Sequence, residues 1–334
     1  MREKERKYCY GMYTLMFLLM CMAAFLPFFM GGKNFVWGAG VEDGLSQHFS
    51  ALAYYGELLR EFVKNLIAGH PKLMMWNMSL GYGADVIATL NYYAIGDPLN
   101  LLYGFVPVKY TEIMYNFMIL FRMYLAGIAF ILYARKMKKR TYGTVIGALV
   151  YVFCGFCFRL GLRHPFFLNP MIYFPLLCLG IEKIYQKQRP YLFIVMIYVS
   201  AISNYYFFYM LTIFSVIYAW IRFYKYTEKD RIKNFFLTIL KFGGYYILGI
   251  CMAAVILIPS VIGFLGNGRY GSGTDWKSLI VYPGKYYLMF LENFVGYGNV
   301  GSNTNTGYLP IAGIVVLFTL FSRRMKHKKY RLVF

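Results

Sequence analysis

In "VEDGLSQHF", residues 41–49, two adjacent carboxylates, Glu42 and Asp43, follow closely on a long apolar run. A carboxylate at the start of a helix sits in the field of the helix N-terminus, which favours its ionised form. Gln47 falls one turn later on the same face. Asp43 ionised at a membrane surface could serve as a general base, taking the proton of an attacking hydroxyl. The alternative is a helix cap, a role in which Asp is common.

Other residues could handle an anion. Arg122 lies inside the apolar run "NFMILFRMYLAG", where a charge is costly and usually functional. Guanidinium pairs bidentately with phosphate, though a buried acid such as Glu112 would serve as well. In "FRLGLRHPFFLNP", Arg159, Arg163 and His164 fall in a short connection. Arg163 with His164 could neutralise a departing phosphate, or simply meet lipid headgroups. Asn204 sits in a polar break, "SAISNYYFFY", and Arg269 and Glu292 are charges of a Gly- and Asn-rich loop. P-loop, H-E-x-x-H and G-x-S-x-G patterns are absent from the chain, and no set of metal ligands clusters along it.

The elements that must position these residues are membrane spans. Of 334 residues, 59% are hydrophobic and 15% charged, and the mean hydropathy is +0.48; soluble domains carry roughly a quarter charged residues. Apolar runs place spans at 9–30, 110–134, 142–159, 166–182, 190–203, 205–221, 235–262 and 307–322. The expected fold is therefore an all-α integral membrane protein of about eight transmembrane helices. The net charge of +21 comes from clusters such as "RKMKKR" (135–140) and "RRMKHKKYR" (323–331) between those runs. That pattern fits cytoplasmic loops better than nucleic-acid binding. The N-terminus is then cytoplasmic, in a multi-pass cell-membrane protein, and residues 31–108 and 263–306 form long outer loops.

Within the first loop, Phe49, Leu52, Tyr55, Leu59, Phe62 and Leu66 recur at helical spacing opposite Glu57, Arg60, Glu61 and Lys64. They predict an amphipathic helix in the membrane interface. Residues 190–222 must cross twice, and two spans of about 15 residues are short for a ~30 Å core. Broken backbone at that depth survives where protein or water satisfies it, so Asn204 is expected to line an outward-facing cavity. Six cysteines lie in or beside apolar runs, and Cys154 and Cys157 read as small membrane residues. The ending "KKYRLVF" reads as the start of a ninth span, as in a chain truncated at its C-terminus.

"EDGLSQHF", "NMSLGYGADV", "GDPLNLL", "RHPFFLNPMIYFPLLCLGIEKI", "SNYYFFYM" and "LIPSVIGFLGNGR", in this order and spacing, resemble the YfhO family of bacterial membrane proteins from about residue 9 to 322. That family is similar to type C glycosyltransferases, multi-span enzymes that use polyprenyl-phosphate sugars. The resemblance implies that fold, a catalytic acid in the first outer loop, and transfer to a cell-envelope polymer such as teichoic or lipoteichoic acid. Carried over, the acid is Asp43 with Glu42 beside it, and Gln47, Arg122, Arg163, His164, Asn204 and Arg269 are the substrate-binding candidates. Enzymes of that fold often carry Asp-x-Asp or Glu-x-Asp; the adjacent pair here leaves use of a divalent cation open. A flippase for lipid-linked sugars and a non-catalytic scaffold are the competing readings, although no inverted repeat supports transport.

Overall fold

The computed structural model describes residues 3–36, 43–227 and 231–266. Among them, five helical stretches are long and apolar enough to cross a membrane: Lys7–Met30 in α1 (Glu3–Met30), Val108–Lys136 ending in α4 (Thr111–Lys136), Pro165–Tyr185 ending in α6 (Asn169–Tyr185), α8 (Tyr205–Tyr226) and α9 (Arg231–Leu265). Two shorter apolar helices, α5 (Thr141–Val152) and α7 (Tyr191–Ser203), lie among the described residues as well. The chain is an all-α membrane protein. The expected span 307–322 lies outside the described residues.

Packing ranks the helices. Most of α6 is buried, against α4, α7 and α8, whereas most of α1 and α9 is left to the bilayer. The expected span 142–159 is shortened, because α5 ends at Val152 and Phe153 leaves helical geometry (φ −96°, ψ 40°). The chain then turns past Cys154 and through a π-helical turn, Cys157–Gly161. The Cys154 and Cys157 sulfurs are 3.7 Å apart, buried and unbridged.

One end of the bundle collects the basic connections. Lys136 Nζ donates to Gln188 Oε1 (3.1 Å), Gln186 Nε2 donates to the Tyr226 hydroxyl (3.1 Å), and Arg135 lies over the Tyr10 ring. Just inside this end, the fully buried Glu182 of α6 accepts from Arg222, Tyr218 and Tyr226 of α8. A buried carboxylate persists only when paired in this way.

The opposite end is built from residues 31–36 and 43–110. Phe35 N donates to Asn116 Oδ1 (2.8 Å), and Asn34 Nδ2 to Glu112 Oε1 (2.7 Å), tying the chain after α1 to the start of α4. Then come a π-helical turn (Gly44–Phe49), α2 (Ser50–Ile67), a hairpin of β1 (Trp76–Asn77) and β2 (Ala84–Asp85), α3 (Val86–Leu90) and a 3₁₀ segment (Pro98–Phe105). The amphipathic helix appears as α2, but it does not simply float in the interface. Leu52 and Tyr55 are buried, Gly56 meets the Tyr103 carbonyl, and Arg60 Nη1 caps the carbonyls of Tyr103 and Val106. Its exposed large apolar side chains, Val63, Leu66 and Ile67, lie in its last turns.

The short α7 is explained by what meets it. Asn204 is extended (φ −167°, ψ 114°) and separates α7 from α8. Residues 91–96 descend onto this break: Asn91 Nδ2 donates to the Ile202 carbonyl (2.8 Å), and Asn204 Nδ2 donates to that of Tyr92 (3.0 Å). Broken backbone deep in a bundle is thereby satisfied by protein. The approach requires Gly96 (φ +89°), where a Cβ would fall 1.9 Å from the Ile202 oxygen.

Candidate functional site

At the end opposite the basic connections, the π-helical turn after Asp43 faces the turn before α6. The Asp43 side chain makes no capping bond to the backbone. Instead Asp43 Oδ1 accepts from Gln47 Nε2 (2.7 Å), and Gln47 Oε1 accepts from the Tyr93 hydroxyl (2.7 Å). Asp43 Oδ2 stands 4.0 Å from His164 Nε2, with Asp43 37% and His164 15% exposed. Behind them, His164 Nδ1 is 2.6 Å from Nε2 of His48, which is only 2% exposed.

This chain of contacts assigns the tautomers. His48 Nδ1 is buried without a partner. The carboxylate favours a proton on His164 Nε2, which leaves His164 Nδ1 to accept from His48 Nε2–H and His48 Nδ1 bare. Burial, and then the neighbouring His164 and Arg163, lower the His48 pKa to about 3. His48 is thus a neutral, fixed donor that orients His164 toward Asp43.

Aromatic rings enclose the imidazoles. His48 packs on Tyr93 and Phe166, and His164 stacks on Phe167 at 4.7 Å. Tyr92 packs on Phe166 and Tyr93. Burial, the surrounding phenols and the Asp43 charge push the Tyr92 hydroxyl up to about 12, so it stays a neutral donor. The result is a partly exposed Asp43 carboxylate beside a wall of aromatic rings.

Arg122 is not part of that surface. It is 1% exposed, and its Nη2 donates to Asp97 Oδ2 (2.7 Å) and Asn100 Oδ1 (2.6 Å) while Nε donates to Asn169 Oδ1 (3.0 Å). Asn169 Nδ2 donates to the same Asp97 oxygen (2.8 Å). The expectation that Arg122 binds phosphate is corrected, as is Glu112 as its partner. Arg122 instead ties the loop that carries Tyr92 and Tyr93 to the start of α6, five residues after His164.

Asn204 is likewise corrected. It is 3% exposed, and its Oδ1 accepts from Tyr206 N and Phe207 N to cap α8. It anchors Tyr92 from behind. Asp43, Gln47 and His164 are brought together, with Arg163 near enough to act on His48. Glu42, Arg269 and Glu292 lie outside the described residues. The residues that sequence reasoning missed are His48, Tyr93 and Asp97. His48 ends the very motif that carries Asp43, and Asp97 stands in "GDPLNLL". Among the described residues, no three His, Cys, Asp or Glu side chains converge as metal ligands.

The profile of the family described as "Bacterial membrane protein YfhO" matches residues 12–334. The chain belongs to the YfhO family. It is similar to "Uncharacterized protein YfhO" of Bacillus subtilis (strain 168), at 27% identity over 273 residues. That alignment covers 74% of this chain and 30% of the relative, so the chain spans about a third of that protein's length. No solved structure matches the chain.

Proposed function

We propose that this chain is part of a membrane glycosyltransferase that moves a sugar from a polyprenyl-phosphate donor to an extracellular cell-envelope acceptor such as teichoic or lipoteichoic acid. The observation that carries this reading is the Asp43 carboxylate, uncommitted to helix capping and aimed by Gln47 and His164 at the end opposite the basic connections. The likeness of the family to type C glycosyltransferases supplies the reaction class.

In the proposed step, Asp43 takes the proton of the acceptor hydroxyl as its oxygen bonds to the anomeric carbon. The bond from that carbon to the phosphate oxygen breaks, and the phosphate leaves with the electron pair. Attack opposite the leaving group inverts the anomeric centre. Arg163, and His164 through a proton on Nε2, offset negative charge at the reacting end. Arg122 and Asn204 act at a distance, as positioning residues.

The test is sugar transfer from a radiolabelled polyprenyl-phosphate sugar in membranes containing the full-length protein. Asp43→Asn keeps shape and hydrogen bonding but cannot accept the proton, so transfer is expected to fall about 10²- to 10⁴-fold. Undiminished transfer at matched protein level would remove Asp43 from the chemistry. Accumulation of lipid-linked sugar across the membrane without transfer, unaffected by the substitution, would favour a flippase.

A further inference from the structure

A deep concavity among the described residues lies away from Asp43, in the half of the bundle nearer the basic connections. It is a groove of about 570 Å³ between α8 and α9, floored by α6 and α7, and lined by apolar side chains including Phe193, Val216, Trp220, Ile239 and Phe242. Its volume suits a small-molecule or lipid-chain site. A second space of about 410 Å³ adjoins it, sharing Tyr185, Thr238 and Phe242, and there the lining turns polar, with Lys187, Lys241, Thr227 and Asn234. Lys187 and Lys241 are both exposed and have no carboxylate partner among the described residues.

The depth of the lysines is set by helix length. At 1.5 Å per residue, the 35 residues of α9 span about 52 Å, well beyond the ~30 Å hydrocarbon core. Lys241, ten residues from the α9 start, therefore falls near the boundary between hydrocarbon and headgroups. Apolar space below and cations above match the two halves of one molecule.

We infer that the α8–α9 groove holds an acyl chain of an anionic glycerophospholipid whose phosphate sits between Lys187 and Lys241. Charge decides against the other occupants. A second copy docked symmetrically through this face would bring the same lysines toward each other. A helix from residues 307–322 laid here with its following end at the basic side would bring "RRMKHKKYR" to the same place. Both add positive charge where negative charge is wanted.

Trp220 in the groove wall provides the readout. Full-length protein with Trp37, Trp76 and Trp276, and any tryptophans beyond residue 334, changed to Phe would be reconstituted with brominated phosphatidylglycerol or brominated phosphatidylcholine, and Trp220 quenching measured. Two surface lysines are expected to favour the anionic lipid roughly tenfold or more. The K187E/K241E variant should abolish that preference, with K187Q/K241Q as the milder variant should the first fail to fold. Gly243→Phe, with Trp220 still the sole tryptophan, should exclude the chain by filling the groove and so reduce the quenching. Equal quenching by both lipids, or a preference untouched by the lysine variants, would overturn the assignment. Absence of quenching would mean that protein fills the groove. Displacement of the brominated lipid by equimolar polyprenyl phosphate would overturn the phospholipid in favour of the prenyl carrier.

Discussion

At the scale of single residues, the site is one carboxylate supported by two imidazoles in different states. His164 is partly exposed, 4.0 Å from Asp43, while His48 is sealed behind it. Because His48 has a folded pKa near 3 against an ordinary value near 6.5, the unfolded chain binds a proton that the folded chain refuses between those pH values. Its contribution to stability is thus fully present above pH 6.5 and falls as the pH drops toward 3, at up to about 1.4 kcal/mol per pH unit. The thermal midpoint of detergent-solubilised protein should fall on acidification across this window, and the fall should be shallower in His48→Gln. His48→Leu, which removes the fixed donor to His164, should weaken transfer, whereas an inert packing role for His48 would leave transfer unchanged. Asp43 and His164 stand in the sequence as charged or titratable groups beside apolar runs. His48 was hidden by its spacing, because helical periodicity pairs Asp43 with Gln47, and nothing local says that residue 48 turns toward a histidine 116 residues away.

At the scale of elements, the decisive feature is how residues 91–100 are held beneath the site. Asn91 and Asn204 fasten this segment to the α7–α8 break, and Arg122, Asn100 and Asn169 fasten it through Asp97 to α4 and α6. Hydropathy shows that 190–222 is too short for two full spans, but it cannot show that another loop descends to meet the break. Arg122 illustrates the same limit: an intramembrane arginine announces a partner, and only the fold chooses Asp97 over Glu112 or a ligand. Arg122→Met would leave the Asp97 carboxylate buried and unpaired, at a cost of about 3–5 kcal/mol. The double variant R122M/D97L should recover part of that loss, measured as thermal midpoint in detergent; a phosphate-binding Arg122 would instead give a stable single variant with a raised donor KM. Gly96→Ala acts on the same segment from the other side. With its Cβ driven into the Ile202 carbonyl, the loop must lift, and transfer should drop roughly 10- to 100-fold through misplacement of Tyr93 and Gln47. Normal transfer by Gly96→Ala would show that this docking does not position the site.

At the scale of the whole molecule, the separation of the two ends makes orientation the property on which the proposed reaction depends. The basic connections at Lys136–Arg140 and Lys183–Arg189 and the Arg222–Tyr226 end of α8 share one end, and Asp43, His164 and Tyr93 share the other. Short loops rich in Lys and Arg tend to stay cytoplasmic, so the proposed reaction requires the carboxylate at the outer face, where it would meet a cell-envelope acceptor. Single cysteines in a chain stripped of its native ones would test this directly. Tyr82→Cys, at a fully exposed position in the hairpin between α2 and α3, should react with a membrane-impermeant maleimide on intact cells. Lys138→Cys, in the α4–α5 connection, should react only after permeabilisation. The reverse pattern would place Asp43 in the cytoplasm, away from any extracellular polymer, and the base would need a different acceptor. The same experiment bears on the lipid groove, because the expected pattern assigns its lysine mouth to the inner leaflet and so separates that lipid from the donor at Asp43 by the thickness of the bilayer.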